Sequence, residues 1–142
     1  MTEFERLQAA NKKKRTPAWL YIPVFPIPIY AGKLLLCMTR EEWSALANAY
    51  DGDPDTENCK GLAIRYLTPE EGRVYVIGVF DRSVDTFIHE LAHTVFHLLD
   101  DVGIPLEDGG ANEAYTYMLG WFIREVLPVF TAAALTTPGN PH

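Results

Sequence analysis

Apolar and polar positions divide this chain into short elements. Between Thr2 and Lys14, Phe4, Leu7 and Ala10 fall on one stripe, the spacing of a short helix. From Pro17 to Ile29 prolines punctuate an apolar run. Each proline pushes its predecessor toward extended geometry, so an extended arm is expected. Lys33 to Met38 reads as a strand. Thr39-Arg40-Glu41-Glu42 has the spacing of a capping box, with Thr39 as N-cap and Glu42 reaching back. A helix to about Tyr50 follows, its inner face formed by Trp43, Leu46, Ala47 and Tyr50.

Two strands come next, Gly61 to Leu67 and Arg73 to Phe80, joined by Thr68-Pro69-Glu70-Glu71-Gly72, a connection short enough for an antiparallel hairpin. Asp81-Arg82-Ser83 caps a helix running from about Val84 to Val102, closed by Gly103 and Pro105. After a glycine-rich loop ending at Gly110, a second apolar helix is expected from about Ala111 to Leu127, stopped by Pro128, and the tail from Thr136 onward reads as frayed. The order predicts a single α+β domain over residues 1–142, with a small, mostly antiparallel sheet packed on two consecutive helices. Residues 1–32 form an N-terminal helix and proline-rich arm, and 136–142 the tail.

Composition narrows the function classes. The net charge is −7, from 12 Lys+Arg against 19 Asp+Glu, which argues against broad nucleic-acid binding. The basic run Lys12-Lys13-Lys14-Arg15 reads as a solvated helix end. Cys37 and Cys59 match no metal or redox spacing, and two buried free thiols are expected. The apolar stretch Ala18 to Ala31 is broken by Pro23, Pro26 and Pro28 and is too short to span a bilayer, so no membrane association and a cytoplasmic location are expected. The alternation Asp51, Asp53, Asp55 is not a calcium loop, because Thr56 stands where glycine is needed and Leu62 where the closing glutamate belongs.

The chemistry lies in Phe87-Ile88-His89-Glu90-Leu91-Ala92-His93, a His-Glu-x-x-His pattern inside a predicted helix. Positions i and i+4 stack on one helix face, so two imidazoles can converge on one zinc ion. Glu90 sits beside the metal, where its carboxylate can deprotonate a zinc-bound water whose pKa the ion has lowered to about 7. With four histidines and eleven glutamates in 142 residues, shuffling yields the pattern on the order of 1% of the time. The helix is apolar around most of its circumference, and imidazole and carboxylate groups there need partners that a metal supplies.

A catalytic zinc takes three protein ligands and keeps one position open. His97 lies two helical steps from His89, about 12 Å along the axis, too far for one ion to reach both. A glycine turn returning a third histidine is excluded, since Phe96 and Leu99 occupy those two places. Glu113 opens the following helix, twenty residues after His93, and fits better. His97 is expected to hydrogen-bond Asp100 or Asp101.

The segment Gly109-Gly110-Ala111-Asn112-Glu113-Ala114 resembles that of the gluzincins, thermolysin-like peptidases in which Asn-Glu-Ala on a downstream helix supplies the third ligand. His-Glu-Leu-Ala-His-x-x-x-His with a later Glu-Ala also resembles the ImmA/IrrE-type peptidases of phages and mobile elements. The resemblance covers about residues 84 to 127. It implies His89, His93 and Glu113 as zinc ligands and Glu90 as catalytic base. Two departures stand out. Tyr117 occupies the place of an aspartate that orients a histidine ligand, so that role passes to Tyr117, Asp81, Asp85 or a backbone carbonyl. The downstream histidine that stabilises the oxyanion is missing, apart from the terminal His142, and Tyr115, Tyr117 or His97 are the substitutes.

The expected function is therefore a zinc-dependent metallopeptidase acting on an extended peptide or protein. Were the Arg73 to Phe80 strand at the sheet edge, it would pair with substrate backbone by β-augmentation; a central strand would not. The alternative is a non-catalytic, zinc-stabilised assembly protein, such as a phage particle component, whose metal fastens the two C-terminal helices. A weaker reading makes Pro23-Val24-Phe25-Pro26 a ligand for a partner.

Overall fold

Leu34 to Cys37 and Val74 to Ile77 are unbroken apolar runs, which suit strands covered on both faces. In the computed structural model, which describes residues 22–105 and 110–136, both become central strands of a four-stranded sheet. The strands are β1 (Val24–Pro26), β2 (Lys33–Cys37), β3 (Gly61–Thr68) and β4 (Gly72–Val79), in the order β1-β2-β4-β3. β1 pairs with β2 and β3 with β4 antiparallel, while β2 and β4 run parallel. The α+β class and small sheet are as expected, and the hairpin from Gly61 is present. β4 is central, so of the two alternatives for the Arg73 to Phe80 strand the central one holds and pairing with substrate backbone there fails; the edges are β1 and β3.

Alternation along the strands builds two cores. Leu34, Leu36, Tyr75, Ile77 and Val79 face one way, Leu35, Cys37, Val74 and Val76 the other. The second set is covered by α1 (Arg40–Ala49) through Trp43 and Leu46, with Phe80 edge-on to Trp43 at 6.1 Å. The first is covered by α2 (Val84–Asp101) and α3 (Gly110–Thr136). α2 contributes Phe87, Leu91, Val95 and Leu98; α3 contributes Met118, Phe122, Val126 and Phe130, one stripe at four-residue spacing.

Local chemistry sets the ends of α1 and α2. The Thr39 hydroxyl accepts the Glu42 amide at 3.1 Å, and the Glu42 carboxylate accepts the Met38 and Thr39 amides at 2.8 and 2.9 Å, the capping box expected. Burial raises the Glu42 pKa, and those amide bonds partly offset it. Ser83 caps α2 by accepting the Thr86 amide at 3.2 Å. At the other end Gly103 has φ +78, a left-handed residue that lets Ile104 donate to the Leu99 carbonyl at 2.9 Å.

α3 corrects one expectation: it runs through Pro128 to Thr136 instead of stopping at Leu127. Pro128 is exposed, so the carbonyl that loses its amide partner, one turn back at the exposed Arg124, faces water. Beyond it, Phe130 stacks on Phe87 with centroids 4.5 Å apart, which holds the last turns in place. The extension makes Glu113–Leu135 long and apolar enough to cross a membrane, with a mean hydropathy of 1.4. Of that window 22% is buried, and the stripe from Met118 to Phe130 lies in the core.

The proline-rich arm forms β1 against β2, so Val24-Phe25-Pro26 packs on its own sheet. Cys37 is buried and Cys59 half-buried, both free. The helix expected over Thr2 to Lys14, its basic run and the tail beyond Thr136 lie outside the described residues.

Candidate metal centre

α2 is amphipathic in an unusual sense: its inner face is core and its outer face carries the motif. Phe87, Leu91 and Val95 are buried against sheet and α3, and the helical period then turns His89 and His93 to the exposed side. Their Nε2 atoms lie 3.1 Å apart, with ring centroids at 4.7 Å and planes at 79°. Two nitrogens bound to one tetrahedral zinc at about 2.0–2.1 Å stand roughly 3.3 Å apart, so the donor pair is close to the spacing an ion requires. A Glu90 carboxylate oxygen is 4.0 Å from the His89 Nε2. Donor atoms of His89, Glu90 and His93 all fall within 4.8 Å of one another, a set that can hold a metal ion.

Glu90 differs from the histidines in being buried, with 5% of its surface exposed. It leans on the start of β3 at Gly61. A Cβ at that position would stand 3.2 Å from the Glu90 Cγ, 2.7 Å from the Gly78 carbonyl and 2.5 Å from the Thr86 methyl. Glycine is what lets the carboxylate stem lie against the strand. Burial raises the Glu90 pKa and the two nearby imidazoles lower it, with burial the larger effect. A carboxylate made more basic by desolvation is suited to accept a proton near neutral pH.

His89 and Glu90 open on a cleft of about 410 Å³ that Lys60, Gly61, Asp85 and Thr86 also line. Lys60 and Gly61 come from the β3 end of the site, and no motif in the sequence marks them. The one signal for Gly61 was a glycine opening an apolar strand, a mark of close backbone approach.

The other expected residues are dispersed. Glu113 is exposed in the first turn of α3, and its carboxylate is not part of the trio. Tyr115 packs against Phe96 with centroids 5.0 Å apart and rings tilted by 46°, and burial raises its pKa; Tyr117 is 52% exposed; neither lines the cleft. The pairs Phe96–Tyr115 and Phe87–Phe130 make α2 and α3 antiparallel, as the short connection implied, and set the start of α3 near Phe96. Asp81, a candidate to orient a histidine, accepts instead from the Ser83 amide and hydroxyl at 3.0 Å and the Thr86 hydroxyl at 2.7 Å. Asp85 remains, since it shares the cleft with His89.

His97 also departs from expectation. Arg65 takes the two aspartates, at 2.9 Å to Asp101 and 3.2 Å to Asp100, and donates to the His97 carbonyl at 3.1 Å. The His97 Nδ1 is buried with no hydrogen-bond partner among the described residues, and burial with the Arg65 charge lowers its pKa. Its side chain borders a separate cavity of about 370 Å³ with Arg65, Phe96, Leu99 and Ile104.

Set against models of protein families, curated proteins and solved structures, the chain matches none. The likeness to gluzincin peptidases thus rests on the motif residues alone.

Proposed function

We propose that the chain is a zinc-dependent metallopeptidase in which His89 and His93 hold the ion and Glu90 is the general base. The observation that carries this reading is the pair of imidazole nitrogens 3.1 Å apart on an open face, with a buried carboxylate oxygen 4.0 Å from one of them. The imidazole pair supplies two of the ligands that zinc prefers, and zinc, when bound, would supply Lewis acidity there. Glu90, packed against Gly61 and desolvated, would be the group that accepts a proton at its carboxylate and passes it to the leaving amine. Glu113, exposed in the first turn of α3 and apart from the trio, is the proposed third ligand.

β3 supports an extended peptide as the substrate. It is one of the two edge strands, it begins at the cleft with Gly61, and its Arg65 contacts α2 a few turns later, so strand and helix run alongside each other. A metal acting only as a fastener between α2 and α3 is less favoured, because the three assembled donors all belong to α2. Its inner face is already held by Phe87, Leu91, Val95 and Leu98.

Glu90→Gln tests the mechanism. The variant is expected to bind zinc with affinity within a few-fold of the parent and to lose peptide hydrolysis by about 10²–10⁴-fold. Undiminished turnover of a casein or fluorogenic peptide substrate would sink the reading.

A further inference from the structure

The lining of the metal cleft contains one cation, Lys60, in a chain of net charge −7. Its backbone is fixed where β3 begins: the Lys60 carbonyl accepts the Phe80 amide at 2.9 Å and the Asp81 amide at 3.3 Å. Its side chain is exposed and has no ion pair or hydrogen bond with another described residue. A lysine stem of four carbons carries a mobile point charge, suited to meeting an anion that arrives from solvent. Asp85 borders the same cleft from the first turn of α2, where the helix dipole favours a carboxylate. The cleft is therefore bipolar, positive on the strand side and negative on the helix side, with the metal-binding trio beside both.

We propose that Lys60 makes this cleft a receptor for a carboxylate on the ligand, so that a bound molecule ligates the metal with one group and pairs with Lys60 through a second, anionic one. This rests on the metal reading above and adds a substrate class: peptides that carry a carboxylate close to the bond being cleaved. Net repulsion from an acidic protein works against such ligands at long range, and the local lysine is what admits them.

The test uses the full chain loaded with Co²⁺, whose visible absorption reports on ligands entering the metal's coordination sphere. Acetate, succinate and glutarate are titrated in turn. The longer of the dicarboxylates that spans the site is expected to bind about two- to fivefold more tightly than acetate, the size of an exposed ion pair. Lys60→Met should erase that advantage without changing acetate affinity, Lys60→Arg should keep it, and Asp85→Asn should enlarge it. Raising the salt concentration should shrink it. Equal affinities in the parent, or an advantage that survives Lys60→Met, overturn the proposal while leaving the metal reading intact. Absence of any cobalt spectrum overturns both.

The carboxylate has two possible sources, an acidic side chain or a free C-terminus. On cobalt-loaded Glu90→Gln, acetyl-tetraalanine with a free carboxylate and acetyl-Ala-Glu-Ala-Ala-amide separate them. The peptide whose affinity falls in the Lys60→Met background identifies the source, and loss of affinity by neither contradicts the proposal.

Discussion

α2 and α3 lie side by side, antiparallel, and share the Phe87–Phe130 stack, yet they are built by different means. α2 is bounded by its own chemistry, with Ser83 at one end and Gly103 at the other, and it presents the trio on a face its period dictates. α3 has a proline inside it and depends on the stripe from Met118 to Phe130 for its position. A metal dyad four residues apart is set by one helix's geometry and needs no other element. A third ligand on the neighbouring helix needs the packing between the two to be right within an ångström or so. That is why the histidines meet while Glu113 stands apart.

Phe87→Ala attacks the contact that ties the two helices, and should produce the largest effect. Removing a fully buried ring that stacks on Phe130 is expected to cost about 3–5 kcal/mol by chemical denaturation. A loss below 1 kcal/mol would mean that α3 is not held at that point. Glu113→Gln probes the same comparison through the metal. If α3 supplies the third ligand, zinc affinity should fall by more than the 10–100-fold typical of outer-shell partners. A variant with parental affinity would confine the site to α2.

The smallest effect concerns α1, which like α2 is bounded by its own residues. Glu42 has its pKa raised by burial, so the folded state holds its proton more tightly than the unfolded chain. Its titration therefore favours folding below the ordinary carboxylate range and loses that contribution as pH rises through the elevated pKa. Glu42→Gln keeps an oxygen for the Met38 and Thr39 amides and should flatten the pH dependence of melting temperature just above the carboxylate range. An unchanged slope would show that Glu42 is not the group responsible.

These differences also mark how far the sequence could be read. The capping box, the Gly61 hairpin, the bounds of α2 and the His89–Glu90–His93 grouping follow from spacing within a few residues, and all are present. Sheet order does not follow from spacing. β4 inserts between β2 and β3 because Val74 to Ile77 are apolar on both faces, a pattern that gives a central strand without naming its neighbours. In sequence Pro128 reads as a stop because its missing amide is costly inside a helix; its exposure supplies water to the orphaned carbonyl, and tertiary contacts at Phe130 carry the helix on. Sequence spacing pairs His97 with acidic neighbours on its own helix, whereas Arg65, distant in sequence, takes both. Lys60 and Gly61 entered the site by the same long-range route, through the packing of β3 on α2.

The proposal requires His89 and His93 together to hold one metal ion. Competitive zinc titration of the parent, His89→Ala and His93→Ala tests it most directly. The parent should bind one zinc per chain, and each alanine variant should lose affinity by about 100-fold or more while keeping the parental fold by circular dichroism, since both side chains are exposed. Equal zinc affinity in all three proteins, or no binding by the parent, would contradict it.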